Sequence, residues 1–221
     1  MSELLLLKKE DCKSCYKCIR ECALKSIRFS ENRAQIVERE CVYCGHCYVT
    51  CPQSAKEIRR DTDKAKALIA SGRPVIVSLA PSFIADFGVG GLDGMRQALL
   101  KLGFADVEET ARGAKIVKTE YERMIASGEH KLIISSCCHS VNLLIQKRYP
   151  QALPYLAKVD SPMLAHAKSI KERVPGSAVV FIGPCISKKD EAEQYGQVDC
   201  VLTFDELIVG LEEEGIELPA G

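Results

Sequence analysis

Cysteine is the residue type whose spacing in this chain points most directly to chemistry. Eight of the twelve cysteines lie within the first 51 residues, in two runs with the same C-x2-C-x2-C-x3-C spacing. The runs are 29 residues apart and comprise Cys12, Cys15, Cys18 and Cys22, then Cys41, Cys44, Cys47 and Cys51. Thiolates are soft ligands, and three of them on one tight loop suit three corners of an iron–sulfur cubane. The repeat therefore predicts two [4Fe-4S] clusters that carry electrons.

The fourth cysteine of each run is predicted to bind the cluster of the other run, as in two-cluster ferredoxins. One ligand set is then Cys12, Cys15, Cys18 and Cys51, and the other is Cys41, Cys44, Cys47 and Cys22. Between the runs, the alternating residues of Ser26–Val37 predict a β-hairpin that turns at Glu31-Asn32. Residues 1–60 resemble a bacterial-type two-cluster ferredoxin domain, and we predict an α+β, ferredoxin-like fold for them.

Two other roles of clustered cysteines fit this spacing less well. A disulfide framework needs an oxidising compartment and a secretory signal. Zinc sites usually consist of separated C-x2-C pairs, whereas each run here places four cysteines within eleven residues.

Charge and hydropathy exclude several classes of partner. The 221 residues include 30 basic and 30 acidic side chains, which give zero net charge and no long block of one sign. Binding to nucleic acid or to a membrane surface therefore has no electrostatic support. No segment approaches the ~20 apolar residues of a membrane span. The apolar run Leu4–Leu7 is too short for a signal-peptide core and predicts a first strand, so we expect a cytoplasmic protein.

Residues 61–221 alternate apolar runs with helical patterns, after a polar stretch at Arg59–Lys66 that we interpret as the junction. The alternation predicts an α/β domain with a mainly parallel sheet flanked by helices. The predicted strands are Pro74–Ala80, Ala105–Thr110, Lys131–Ser136, Ser177–Gly183 and Val198–Phe204. Ligands of such sheets collect beyond the carboxyl ends of the strands. Three segments follow predicted strands and are expected to converge there: Ala80-Pro81-Ser82, Ser136–His139 and Gly183–Cys185.

Two of these segments resemble known active-site motifs. SSCCHS (Ser135–Ser140) and GPCISKKDEA (Gly183–Ala192) are similar to the first two active-site motifs of [FeFe]-hydrogenases. Further segments look like the same family in the right order, namely VSLAPS, KLGFADVEETARGA, DSPM and VDCVLTFDEL. The resemblance covers nearly the whole chain, including its two-cluster region.

The resemblance implies roles for individual side chains. Cys138 and Cys185 would be ligands of the active-site cubane, and Cys137 would deliver protons to a diiron centre. Lys188 would contact an iron-bound cyanide, and Glu191 would pair with or orient that lysine. The diiron pocket would be lined by Ala80, Pro81 and Ser82.

The chain also departs from the family pattern. After Cys185 it contains only Cys200, so the C-x3-C of the family's third motif is missing and two of the four ligands of the third cubane are present. A hydrogenase-type [4Fe-4S]-diiron cluster is therefore expected only if further sequence completes it. His139 replaces the usual proline and is expected to start a helix, and Tyr121 stands where a relay carboxylate is usual. Cys200 is expected in the core and His166 on the surface.

We therefore interpret the chain as an iron–sulfur electron-transfer protein, the N-terminal portion of an [FeFe]-hydrogenase-like oxidoreductase. It would pass single electrons between the ferredoxin clusters and a hydrogenase-type site. Its partner would be a redox protein or the remaining hydrogenase-like domain, and this chain alone is expected to lack hydrogen turnover. Two alternatives remain open: a non-catalytic hydrogen or redox sensor module, and an iron–sulfur assembly or carrier protein.

Overall fold

The computed structural model describes residues 4–218. Residues 1–3 of the predicted first domain and residues 219–221 of the predicted second domain lie outside this range. Within it the chain forms two small antiparallel sheets followed by one four-stranded parallel sheet.

The first small sheet joins the beginning of the chain to the segment after the second cysteine run. Strand β1 (Leu5–Leu7) pairs antiparallel with β4 (Lys56–Ile58), so that Leu7 lies opposite Lys56. This pairing holds the neighbouring Cys51 close to the first run.

The second small sheet is the predicted hairpin, which the structure confirms. Strand β2 (Ile27–Ser30) pairs with β3 (Arg33–Ile36). The turn residues Glu31 and Asn32 have φ values of 51° and 56°, as a tight two-residue hairpin turn requires. A short helix follows the start of each cysteine run: α1 (Lys17–Glu21) and α2 (His46–Val49).

The parallel sheet confirms the predicted α/β class for the rest of the chain. Its strand order is β6-β5-β7-β8, and all neighbouring pairs are parallel. The strands are β5 (Val75–Leu79), β6 (Asp106–Glu109), β7 (Ala178–Ile182) and β8 (Cys200–Leu202). The helices are α3 (Thr62–Ala70), α4 (Phe83–Phe87), α5 (Leu92–Lys101), α6 (Ala111–Ala126), α7 (His139–Arg148), α8 (Pro162–Arg173), α9 (Ser187–Tyr195) and α10 (Phe204–Glu213). Two 3-10 helices, Glu38–Glu40 and Pro150–Tyr155, complete the assignment.

The core lies around the two central strands, because both are buried along their whole length. Leu79 and Ile182 are fully buried, as are Leu99 of α5 and Ile170 of α8. Burying one such side chain stabilises the fold by about 1.5–3 kcal/mol relative to exposing it. Cys200 of β8 belongs to this core, as its apolar context predicts.

The predicted strand at Lys131–Ser136 is wrong. Ile134 forms only an isolated bridge with Leu156: its N–H donates to the Tyr155 carbonyl at 2.7 Å, and its own carbonyl accepts from Ala157 at 2.9 Å. The run is apolar enough for a strand, but its backbone pairs with the segment that follows a 3-10 helix and not with the sheet.

The predicted exposure of His166 is also wrong, since this side chain is completely buried. Its Nδ1 lies 2.8 Å from the Ser78 hydroxyl and its Nε2 lies 3.0 Å from Glu108. Burial lowers the pKa of His166. The histidine faces α6 at a close helix crossing, where a Cβ on Gly113 would lie only 2.7 Å from the His166 Cβ, so the crossing requires glycine.

The junction is fixed by a buried ion network. Asp61, which precedes α3, accepts from Arg59 and from the Lys189 ammonium at 2.7 Å. Lys189 is fully buried and also donates to Glu206 at 3.0 Å and to the Val201 carbonyl at 3.0 Å. Although burial alone would raise the pKa of Asp61, the hydrogen bonds from Arg59 and Lys189 hold it below its ordinary value. The polar stretch is therefore structured and bound to the sheet.

Replacing Lys189 by Ala should destabilise the protein by about 3–5 kcal/mol at pH 7, because Asp61 and Glu206 would be left buried without their cation. The urea midpoint of the reconstituted protein measures this loss. Because the folded pKa of Asp61 is lowered, the network stabilises fully above the ordinary carboxyl pKa of about 3.9 and is lost as the pH falls below it. The difference between variant and wild type should therefore shrink in acid.

The matched control is Lys66→Ala, which removes a cation from the exposed Lys66–Glu213 pair on the same face. It should leave the urea midpoint unchanged. Equal midpoints for all three proteins would contradict the structural role of Lys189.

Candidate metal centres

Four thiols from both cysteine runs surround one small cavity in the N-terminal region. Three come from the first run and one comes from the second, and they are Cys12, Cys15, Cys18 and Cys51. A cubane is bound at four separate corners, so thiols arranged around a space are what it needs. We call this group the first ligand set, and it has the composition that the exchange of fourth cysteines predicts.

We call Cys22, Cys41, Cys44 and Cys47, the ligands predicted for the other cluster, the second ligand set. Cys41 is close enough to Cys44 and Cys22 for their charges to raise its pKa, although Cys22 belongs to the first run. Cys47 interacts in the same way with Cys41 and Cys44. Cys47 also interacts with Cys18 of the first set, so the two sets are neighbours.

Backbone N–H groups point at three of the sulfur atoms. Such bonds stabilise thiolates and tune clusters bound to them. The donor and acceptor pairs are Ser26 to Cys22 at 3.4 Å, Tyr43 to Cys41 at 3.4 Å and Ala55 to Cys51 at 3.3 Å.

Burial opposes ionisation of the thiols that lie deepest. It raises the pKa of Cys41 and raises that of Cys47 to about 12. Cys12 is the opposite case: burial would raise its pKa, but hydrogen bonds from the backbone of Ala34 and Ser14 lower it. Iron bound in place of the proton would hold the buried sulfurs as thiolates. The donor chemistry of both sets, and the cavity inside the first, therefore fit [4Fe-4S] clusters. Within residues 4–218, no three His, Cys, Asp or Glu side chains meet at one point that would hold a single metal ion.

A third group of thiols, separate from the two ligand sets, lies at the carboxyl end of the parallel sheet. The ends of β5 and β7 touch there, since the Ala80 N–H donates to the Ile182 carbonyl at 2.8 Å. A Cβ on Gly183 would lie 2.8 Å from the Ala80 Cβ, so this close approach requires glycine. Ala80 is buried, whereas Pro81 and Ser82 are exposed. Two of the three predicted segments are therefore adjacent.

The third segment, Ser136–His139, reaches this end without a strand. The Tyr121 hydroxyl accepts the Ser136 N–H at 2.8 Å and lies 4.0 Å from the Cys137 Sγ. The Lys188 ammonium donates to the Cys137 carbonyl at 3.4 Å and thereby ties the segment to α9. We call the surface that carries Cys137, Cys138 and Cys185 the thiol face.

The thiol face contains one ion pair and one hydrogen bond between a histidine and a carboxylate. Lys188 lies 2.5 Å from the buried Glu191, so the contact expected between these residues is present. His139 is the first residue of α7, as predicted, and its Nε2 lies 2.5 Å from Asp190. Its buried Nδ1 has no hydrogen-bond partner within the described residues. Asp190 was missed by sequence reasoning, because a partner 51 residues away leaves no local pattern.

Cys138 and Cys185 are both exposed, and Cys185 lies 3.0 Å from the Ser187 hydroxyl. With Cys137 the thiol face carries three thiols, fewer than the four thiolates that a cubane takes. The residues 4–218 by themselves therefore do not fit a third cubane on the thiol face.

The thiol face is in contact with the second ligand set. Ile186, which follows Cys185, packs with Tyr43, and its Cδ1 would lie 3.2 Å from a Cβ on Gly45. At the other end of α7, Lys147 donates to the Cys41 carbonyl at 2.6 Å. Both elements that carry thiols of this face thus touch the loop of the second cysteine run.

Comparison with known families matches nearly all of the chain. Residues 73–220 match the iron-only hydrogenase large subunit, C-terminal domain. Residues 4–67 match a 4Fe-4S dicluster domain. The second match identifies the chain as an iron–sulfur protein with a two-cluster region. Within residues 4–218, no helix combines the length and the apolar character needed to cross a lipid bilayer.

Individual relatives are more distant. Cytosolic iron-sulfur assembly component 3 of Rattus norvegicus is 27% identical over 226 residues, covering 84% of this chain and 48% of the relative. Cytosolic Fe-S cluster assembly factor NAR1 of Lodderomyces elongisporus is 24% identical over 81% of this chain and 38% of the relative. The NAR1 assembly factor of Scheffersomyces stipitis is 26% identical over 216 residues, which cover 81% of this chain and 39% of the relative. The chain spans about half or less of each.

Replacing Cys51 by Ala should remove the cluster of the first set and spare the other. Iron should fall from about eight to about four atoms per reconstituted chain. Alkylation mapped by mass spectrometry should then label Cys12, Cys15 and Cys18, because their iron is gone. Cys200→Ala, which removes a core thiol, is the control and should keep its full iron. Labelling of Cys41, Cys44 and Cys47, in place of the three cysteines of the first set, would contradict the assigned sets.

The thiols of the thiol face should react with iodoacetamide at pH 8 at least about tenfold faster than Cys200. Cys138 and Cys185 are exposed and Cys137 is half-buried, whereas burial raises the pKa of Cys200 to about 12. The rates are read by peptide mass spectrometry of the cluster-loaded protein. Equal rates at all four cysteines would show that the thiol face is covered.

Proposed function

The chain belongs to the iron-only hydrogenase large-subunit family, and from this we propose that it carries single electrons through two [4Fe-4S] clusters to or from the thiol face. The N-terminal residues would form a ferredoxin-like domain that holds both clusters. The first ligand set would bind one cluster and the second set the other. The match to the iron-only hydrogenase family and the match to a 4Fe-4S dicluster domain support the proposal.

The observation that carries this proposal is the contact of Ile186 with the loop at Gly45. Electron transfer needs closely spaced redox centres. Cys18 and Cys47 bring the two ligand sets together, and Ile186 brings the residue after Cys185 against the second set. The three groups of thiols therefore form a continuous packed series, with the second set in the middle.

The clusters supply the electron chemistry when bound, and the protein's residues position and tune them. On the thiol face, the paired Lys188 would place a positive charge toward an anionic group, with Glu191 fixing its direction. Cys138 and Cys185 would contribute ligands, and Cys137 would hold a proton on the same surface. The pocket would be walled by Ala80, Pro81 and Ser82.

The electron partner would be a redox protein or the remaining part of a hydrogenase-like protein. The chain covers only 48% of the Rattus norvegicus relative. A partner seated on the thiol face would complete the site. A cytoplasmic location is supported by the relatives that are named as cytosolic proteins. A sensor would use the same electron path without turnover.

A second candidate function is iron–sulfur assembly. Three relatives that each cover more than four-fifths of this chain are named as assembly proteins. The exposed pair Cys138 and Cys185 would suit a cluster that is held as cargo and passed on, since a site open to solvent can release its contents. In that case the two ligand sets would reduce or support the transferred cluster.

An electron count on the reconstituted chain separates these functions. For an electron carrier, we expect about eight irons and about two reversible electrons per chain, and both clusters should remain bound after incubation with an apo-ferredoxin acceptor. The measurements are anaerobic dithionite titration and the iron content of the re-isolated protein.

Cluster transfer to the acceptor, fast in the wild type and lost in Cys138→Ala, would instead establish the assembly function. Uptake of fewer than about four irons would contradict both functions, because both need the two-cluster region.

A further inference from the structure

Lys56 is a buried lysine between the two ligand sets. Only 3% of its surface is exposed. It is the first residue of β4, and its side chain lines the cavity of the first set together with Cys12, Cys18 and Cys51.

The ammonium of Lys56 has a single protein acceptor. Its Nζ donates to the Ala34 carbonyl at 2.5 Å. In the part of the chain that the structure describes, no carboxylate lies within ion-pair distance of it. A buried ammonium without a counter-ion is unfavourable, so a negative charge supplied by a bound group would stabilise it.

Ala34, whose carbonyl accepts from Lys56, packs in one cluster with cysteines of both ligand sets: Cys12 and Cys18 of the first and Cys22 and Cys47 of the second. After the backbone hydrogen bonds, the positive charge of Lys56 contributes to the lowered pKa of Cys12, and it opposes the rise that burial causes in the pKa of Cys18 and Cys47. One cation thus acts on both sets.

We propose that Lys56 is the shared internal counter-ion of the two clusters and sets their reduction potentials. The inference rests on the proposed electron-carrier function and adds a residue that controls it. Each reduction adds one negative charge to a cluster, and a buried cation close by favours that charge because water does not screen it. Lys56 therefore makes both clusters easier to reduce, and the first set, whose cavity it lines, more strongly.

The test is a dithionite titration of the reconstituted full chain, followed by EPR. Lys56→Met keeps the length and apolar stem but removes the charge. It should make reduction of at least one cluster about tenfold less favourable, a shift of about 59 mV to lower potential for one electron. Lys56→Arg keeps the charge and should stay within about threefold of the wild type, roughly half that shift.

The matched control is Lys17→Met. Lys17 is exposed and immediately precedes Cys18. Its replacement by Met therefore removes one positive charge from a solvated position near the first ligand set. Its potentials should equal those of the wild type. If Lys56→Met also gives wild-type potentials with about eight irons bound, the proposal is wrong while the proposed function stands.

Iron analysis decides the remaining outcomes. If Lys56→Met takes up no iron but Lys56→Arg does, the cation is required even for cluster binding, which supports the proposal. If both variants fail to bind iron, Lys56 serves packing alone and the proposal is overturned. A wild-type chain without clusters would overturn the proposed function and this inference together.

Discussion

We propose that the two cysteine runs exchange their fourth cysteines, and this exchange is the constraint that the N-terminal sheets satisfy. Each cluster would then take one thiol from the other half of the repeat, so neither ligand set would form alone. Cys51 reaches the first set because β4 pairs with β1, and Cys22 reaches the second set close to the start of the hairpin. The two short sheets therefore serve to close the two sites, and cluster binding supplies folding free energy in return.

The second cysteine run is also the connection to the remainder of the molecule. The loop at Cys41–Gly45 contacts Ile186, which follows Cys185, and Lys147 of α7. The buried Lys189 fastens the junction to β8 and α10. The relative position of clusters and thiol face is thus fixed by packing and ion pairs, and not by a loose linker.

Much of this arrangement was predictable from the sequence, because it depends on local spacing. The cysteine spacing predicted that Cys51 lies with Cys12, Cys15 and Cys18, which line one cavity with it, and the apolar runs predicted β5 and β7. The run at Lys131–Ser136 misled, since an apolar run of six residues does not by itself choose a partner strand. His166 was misjudged and Asp190 was missed because their partners, Glu108 and His139, lie far away in sequence and leave no periodic signal. Lys56 was also missed, although a lysine within the short strand that follows Cys51 is a local signal.

The EPR spectrum of the fully reduced, reconstituted chain tests the central claim most directly. If the two runs exchange ligands, the clusters are neighbours in one small domain, and their unpaired spins interact. We expect a simple EPR signal when one electron has been added, and a broadened, split EPR signal when both clusters are reduced. A fully reduced spectrum equal to the sum of two independent cluster signals would contradict the shared architecture on which this account depends.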